Sequence, residues 1–274
     1  MRIGFIGGTG PEGKALAYRF ALRGHELLIG SRTLERAEQA AAEVAARGSG
    51  LSVRGVTNEE AAREGELIIL SIPYEGQAAA LPAFAAAVAG KAVVVTDVPL
   101  AFEGGKPVML DVPEGSAAEQ VQALLPQAKV VGAFQNLGAA KLWAGDEALD
   151  QDVIVCGDDA DAKRTVMALA EQIRGARAVD GGPLAASRYV EGITVLLIGI
   201  NRRHKATTGV RIVGLPWPVR QAQGRPVRQA QGKASASSAS KACRRCGRAT
   251  TWRRRSWARR SARASRSRTG MCWS

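Results

Sequence analysis

The chain has 274 residues, enough for one large domain or two small ones, so it needs neither disulfides nor a structural metal to hold a core. Its formal charge of +13 suggests nucleic acid, but residues 215–274 hold 16 of the 38 Lys and Arg and none of the 25 acids. Residues 1–214 therefore carry 22 − 25 = −3, which excludes a generally basic globular part.

Arg2 to Ile6 is an apolar run that stops at glycines, as a buried parallel strand does. Lys14 to Arg23 has helical spacing and ends at Gly24; Glu26 to Ile29 reads as a second strand. Leu34 to Ala46 predicts an amphipathic helix and Leu51 to Val56 a third strand. Asn58 is expected to cap a short acidic-first-turn helix. Leu67 to Ile72 is a strand halted by Pro73, Gln77 to Ala89 a helix, and Ala92 to Thr96 a fifth strand. A helix after Ser116 precedes the strand Lys129 to Phe134. Val153–Cys156 and Arg177–Val179 bracket a helix over Asp161–Ile173. The long helix from Leu184 to about His204 is apolar nearly all round, so it is expected to be buried, in a small second domain or at a dimer interface. Strands alternating with helices predict a Rossmann-type, doubly wound parallel α/β sheet. The expected division is a dinucleotide-binding domain over 1–150, a small α/β domain over 151–215 and a disordered basic tail over 216–274.

Gly8-Thr9-Gly10-Pro11-Glu12-Gly13 matches G-x-G-x-x-G between a strand and a helix, the context in which this motif binds a dinucleotide. Gly8 is expected to allow the tight turn, Gly10 the close approach of a pyrophosphate, and Gly13 the packing of helix on strand. The helix N-terminus offers its unpaired N–H groups to the phosphates. The second strand ends in Gly30-Ser31-Arg32, with Arg36 one helical turn on, where an NAD enzyme usually has an acid. A hydroxyl and two guanidinium groups suit the 2′-phosphate of NADP. Ile72, Pro73 and Tyr74 after the fourth strand, and Val98 after the fifth, lie where ligands sit in such sheets, beyond the strands' carboxyl ends.

The run IGGTGPEGKALAYRFALRGHELLIGSR resembles the N-terminus of NADPH-dependent coenzyme F420 reductases. Ser71–Tyr74, Gly132–Asn136, Val155–Asp159, Asp180–Leu184, Asn201–Lys205 and Gly209–Ile212 are similar to later segments of that family, so the resemblance covers residues 1–215. It implies hydride transfer between NADP(H) and the 8-hydroxy-5-deazaflavin coenzyme F420, on a Rossmann domain with a small C-terminal domain, as a homodimer. It implies NADP contacts at Thr9, Gly10, Pro11, Glu12, Ser31, Arg32 and Arg36, with Ala139 near the nicotinamide. It implies a deazaflavin pocket lined by the Phe134–Ala139 loop, including Gln135 and Asn136, and by the segment around Thr208 and Gly209. Where members commonly carry His, this chain has Gln135, which binds but does not titrate. Two joined cofactors need mainly proximity and orientation, so no general acid or base is named.

The chain's other features are read more plainly. His25 is structural, and His204 closes a basic helix end that complements the dipole or meets an anionic coenzyme tail. Cys156 stands alone in the main body; Cys243 and Cys246 have zinc-like spacing but lack a second pair, so no metal is expected. The tail repeats PVRQAQG at Pro218 and Pro226 and then lacks acids and aliphatic core formers. It is read as a disordered extension or the product of a frame error. With no signal-peptide pattern and no apolar run near 20 residues, a soluble cytoplasmic protein without membrane contact is expected. The alternatives are an NADP-dependent reductase of a flavin, ketone or imine, and a basic nucleic-acid-binding protein with a vestigial Rossmann unit.

Overall fold

The short apolar runs become strands, and a computed structural model describes them over residues 1–215. The first half reads β1 Arg2–Ile6, α1 Pro11–Ala21, β2 Glu26–Ser31, α2 Leu34–Ala45, β3 Val53–Thr57, α3 Asn58–Glu64 and β4 Leu67–Leu70. Next come α4 Tyr74–Ala80, α5 Ala85–Val88, β5 Ala92–Val95, β6 Leu100–Glu103, β7 Lys106–Met109, α6 Ala117–Leu124 and β8 Lys129–Gly132. The last are α7 Ala139–Trp143, β9 Gln151–Gly157, α8 Ala160–Glu171, β10 Ala176–Gly182 and α9 Ser187–His204.

The sheet runs β3-β2-β1-β4-β5-β8-β9-β10, parallel from β3 to β8. This is a Rossmann-type fold. Successive residues of one strand serve opposite faces: Val94 enters the layer that holds Phe5, Leu16 and Phe20, while Val93 and Val95 enter the layer of Ile68, Phe84 and Val121. Residues 151–215, expected as a separate small domain, add their strands to the same sheet. β9 pairs antiparallel with β8, β10 parallel with β9, and the described residues fall in one compact unit.

Several local expectations change. The helix expected over Gln77–Ala89 is broken into α4, a 3-10 turn at Leu81–Phe84 and α5, because Pro82 has no N–H to continue the ladder. The cap of α3 is Thr57, not Asn58: Thr57 Oγ1 accepts from Glu60 N at 3.2 Å while Glu60 Oε2 accepts from Thr57 N at 3.0 Å. A hairpin, β6–β7, turns through Gly104 and Gly105, both with positive φ. The helix α9 is not buried within the described chain; only Ser187, Val190 and Glu191 of it are, and Leu196 is 57% exposed.

α1 carries an unexpected buried charge. Arg19 is 1% exposed, and its guanidinium donates to Lys141 O at 2.8 Å, Leu142 O at 2.7 Å and Glu147 O at 3.0 Å. These are carbonyls in and just beyond α7, whose short helix leaves them without intrahelical partners. Replacing Arg19 by Met keeps much of the volume but strands three carbonyls. Urea unfolding is expected to show a loss of about 3–5 kcal/mol. A loss below about 1 kcal/mol would mean that water satisfies them.

Candidate active site

The loop between β1 and α1 is built by close approach. Gly7, rather than Gly8, makes the turn, with φ of +78°; its N–H donates to Asn58 Oδ1 at 3.0 Å. That bond is what Asn58 does instead of capping. Gly8 is ordinary in φ but has no room, since a Cβ there would lie 2.6 Å from Phe5 Cβ. A Cβ on Gly13 would lie 2.7 Å from Gly8 O, so these two glycines let α1 press on the loop. A Cβ on Gly10 would meet nothing within 4 Å, so the space above the helix start is open. Gly10 is the N-cap of α1 and Pro11 its first residue, which has no N–H to leave unpaired. The N–H groups of the following turn lack intrahelical partners, and Thr9 beside them is half-buried.

At the end of β2, Ser31 is buried and its Oγ lies 3.5 Å from Thr33 N. Arg32 and Arg36 are exposed, and among the described residues neither makes an ion pair or hydrogen bond. Two exposed cations therefore stand beside a strand end that lacks the usual acid.

A cavity of about 370 Å³ opens beyond the carboxyl ends of β4, β5 and β8. It brings together Glu12, Pro73, Tyr74, Val98, Gln135, Asn136 and Thr208 of the expected residues. Ile72 lies behind it against Gly7, and Ala139 follows the lining residue Gly138 without lining the cavity itself. Gly209 also stays out: a Cβ there would lie 2.0 Å from Gln151 Oε1. The turn from β8 into the cavity passes through Phe134, whose φ of 72° is unusual for a bulky residue. Phe134 is fully buried and packs edge-on against Phe20, 5.9 Å between centroids, which holds that conformation. Gln135 is then 4% exposed, with neither amide atom hydrogen-bonded. Asn136 donates to Asp152 O at 2.7 Å and leaves its Oδ1 unpaired.

The far wall comes from α9 and the strap after it. Lys205, in the left-handed region, ends α9. Asn201 Oδ1 accepts from both the N–H and the hydroxyl of Thr208, each at 2.7 Å. The strap is clamped by a buried pair, with Arg177 donating to both oxygens of Asp152 at 2.8 and 2.6 Å. Ile212 N also donates to Asp152 at 2.6 Å, and Arg177 reaches Ile212 O and Leu215 O.

Two carboxyl groups that face the cavity are electrostatically unusual. Burial, and then the neighbouring Asp97, holds the Glu12 carboxyl well above the usual range; its Oε1 is buried without a partner. Burial pushes Asp97 up to about 7, against the pull of the Val98 and Tyr74 N–H groups. Asp97 was missed in the sequence, although its place after β5 is the signal that selected Val98. A third acid lies behind the wall. Glu191 is raised to about 7 by burial although it accepts from Ala117 N and Ala118 N.

A family model described as NADP oxidoreductase coenzyme F420-dependent matches residues 2–99. The F420-dependent NADP reductase of Methanocaldococcus jannaschii is 45% identical over 222 residues, covering 78% of this chain and 99% of that protein. That of Methanothermobacter thermautotrophicus is 39% identical over 224 residues, covering 79% and 96%. A solved structure from Arthrobacter sp. FB24, provisionally described as an F420-dependent NADP reductase, superposes with a TM-score of 0.68 at 28% identity, covering 77% of this chain and 99% of that one. The Cys243/Cys246 pair, the PVRQAQG repeat and the basic tail lie outside the described residues. With similarity running the length of its relatives, the chain belongs to the family of F420-dependent NADP reductases.

Proposed function

We propose that this chain transfers a hydride between NADP(H) and coenzyme F420. The observation that carries the reading is the end-to-end similarity to F420-dependent NADP reductases, at 45% identity over 99% of one of them. The chain's own residues fit both cofactors. Gly8 and Gly13 leave a cradle that side chains would fill, and Gly10 leaves open space in front of the α1 N–H groups for a pyrophosphate. Arg32 and Arg36, unpaired, are available to the 2′-phosphate, with Ser31 and Thr9 beside the path. Gln135 offers a buried, unpartnered amide to a planar ring with its own donors and acceptors. Asn136, Val98, Pro73, Tyr74 and Thr208 wall the space in which two rings would stack, with Ile72, Ala139 and Gly209 supporting that wall.

When bound, NADPH supplies the hydride from C4 of its nicotinamide and the deazaflavin takes it at C5. The protein's part is orientation and exclusion of water. Arg32 and Arg36 would hold the dinucleotide's 2′-phosphate, and the α1 start its pyrophosphate. Gln135 and Pro73, which line the cavity, would then meet the reacting ring.

The enzyme works as a homodimer in the cytoplasm. The half-exposed apolar residues of α9, among them Leu196, supply the face for a second copy. Although Leu184–His204 is long and apolar enough to cross a membrane by length and composition, Glu191 ties it to the fold. Its buried carboxylate accepts the Ala117 and Ala118 N–H groups at 3.1 and 3.3 Å, bonds that insertion into lipid would break. Among the described residues, nothing specific favours a flavin, ketone or imine acceptor over F420.

Purified protein mixed with NADPH and oxidised F420 is expected to bleach the deazaflavin absorbance and consume one NADPH per F420. Turnover of a free flavin or an imine with F420 untouched would overturn the reading. Arg32→Asp places an acid against the 2′-phosphate. It is expected to lower kcat/KM for NADPH roughly 10- to 100-fold while changing that for NADH far less. Equal losses with both would remove Arg32 from the 2′-phosphate.

A further inference from the structure

Adding a hydride to a neutral conjugated ring leaves an electron pair that must be matched by a proton. The net change is NADPH + F420 + H⁺ giving NADP⁺ and reduced F420. The C4–H bond of the nicotinamide breaks with its pair and a C5–H bond forms. The pair displaced through the deazaflavin ends on a ring nitrogen, which takes the proton. That proton has to be supplied by a group within reach of the ring.

Among the described residues that line the cavity, no Lys, Arg or His is present; the ionisable ones are Glu12, Tyr74, Glu75 and Asp97. Glu75 is exposed at the mouth, and the Tyr74 hydroxyl is engaged by Gln120 Nε2 at 3.3 Å. Glu12 belongs to the first turn of α1, beside the phosphate loop. Asp97 follows β5 and is oriented by a fully buried amide, with Gln77 Nε2 donating to its Oδ2 at 3.2 Å and to Ile72 O at 2.9 Å. Gln135, 4% exposed with both amide atoms unpaired, lines the same space and marks it as built for a polar ligand.

We infer that Asp97 is the proton-holding acid of this reaction, with Gln77 as its positioning residue. The inference rests on the proposed hydride transfer to F420. In the direction of F420 reduction the O–H bond of Asp97 breaks as the ring N–H bond forms, and the carboxylate left behind regains a proton from water. In the reverse direction the carboxylate accepts it. The groups facing Asp97 are all acidic: Glu12 from α1, Glu75 from α4 and, behind the wall, Glu191 from α9. None of them stabilises its charge, and burial holds its affinity at about 7, where an acid both gives and recovers a proton. Glu12 lies instead in the first turn of α1 beside the phosphate loop, and its Oε1 has no hydrogen-bond partner to position it.

The test uses the full chain with NADPH and F420, and the ligand-free protein as a control without chemistry. In Asp97→Asn, kcat for F420 reduction is expected to fall about 100-fold, with both KM values within about threefold of wild type. Wild-type kcat should decline as pH rises above about 7, and the variant should lose that limb. In ligand-free protein, a carboxyl with a raised folded affinity stabilises at low pH and loses that contribution as pH climbs from the ordinary aspartate range near 3.8 to about 7. Asp97→Asn should therefore be less sensitive to pH in thermal unfolding across that window, with Glu12 and Glu191 accounting for the remaining slope. A variant within threefold of wild-type kcat, or an unchanged unfolding profile, would overturn the assignment. If the variant fails to fold, the wild-type pH profile decides, a flat kcat from pH 6 to 8.5 being the overturning result. Wild-type protein that never oxidises NADPH with F420 would instead overturn the proposed function, and the proton assignment with it.

Discussion

The guanidinium of Arg19 sits with no exposed side-chain surface between the helix that starts at the phosphate loop and the one that follows the Gln135–Asn136 turn. Its three bonds to carbonyls at and beyond the end of α7 tie the helix that follows the phosphate loop to the one that follows the Gln135–Asn136 turn. Burial lowers the affinity of Arg19 for its proton, but a guanidinium starts so high that it stays charged. A cation at a helix C-terminus is also favoured by the dipole. Asp146, 3.6 Å from Arg19, lies at the half-exposed edge and is shared with Arg23. The anchor thus consists mainly of hydrogen bonds to backbone, whose geometry tolerates little drift. The facing Phe20–Phe134 contact completes it from the apolar side.

Charge is graded along the carboxyl ends of the strands, from β2 through β1 to β5. At one end stand Arg32 and Arg36, then the N-terminus of α1, then the carboxyl groups of Glu12 and Asp97. A dinucleotide brings three phosphate groups to the positive end and, in its oxidised form, a cationic ring to the acidic end. The order of charges in the protein is the reverse of that in NADP⁺. Attraction at both ends orients the molecule in one direction, and reversing it would set phosphate against carboxylate.

Much of this was legible in the residues. Central strands buried on both faces are uninterrupted apolar runs, so β1, β2, β4, β5 and β8 could be read within a residue or two. The dinucleotide loop and the Ser31-Arg32 strand end follow from local sequence alone. What escaped depends on contacts between distant segments. In Ile6-Gly7-Gly8 either glycine could take the turn; the contact of Gly8 with Phe5 assigns it to Gly7. Asn58 looked like a cap because Asn caps helices, yet Thr57 with Glu60 three residues on already formed the better box, freeing Asn58 for Gly7. The Gly104-Gly105 hairpin carried a readable signal and was overlooked. The raised affinity of Asp97 had none, since the burial that produces it comes from segments far apart in the chain.

Gln135 takes its meaning from the same electrostatics. A histidine at this position would put a titratable cation in a cavity whose other ionisable groups are acids. An imidazolium near Asp97 would favour its charged form and draw its affinity down toward the ordinary carboxylate range. Gln135 keeps a donor and an acceptor for a ring but carries no charge at any pH. The aspartate's hold on its proton is then set first by burial and by fixed N–H groups, with the neighbouring acids Glu191 and Glu75 raising it further and no cation drawing it down. On this reading the glutamine does not remove an acid from the site. It leaves the acid function to Asp97 alone, on a strand end fixed by the sheet and a fully buried amide.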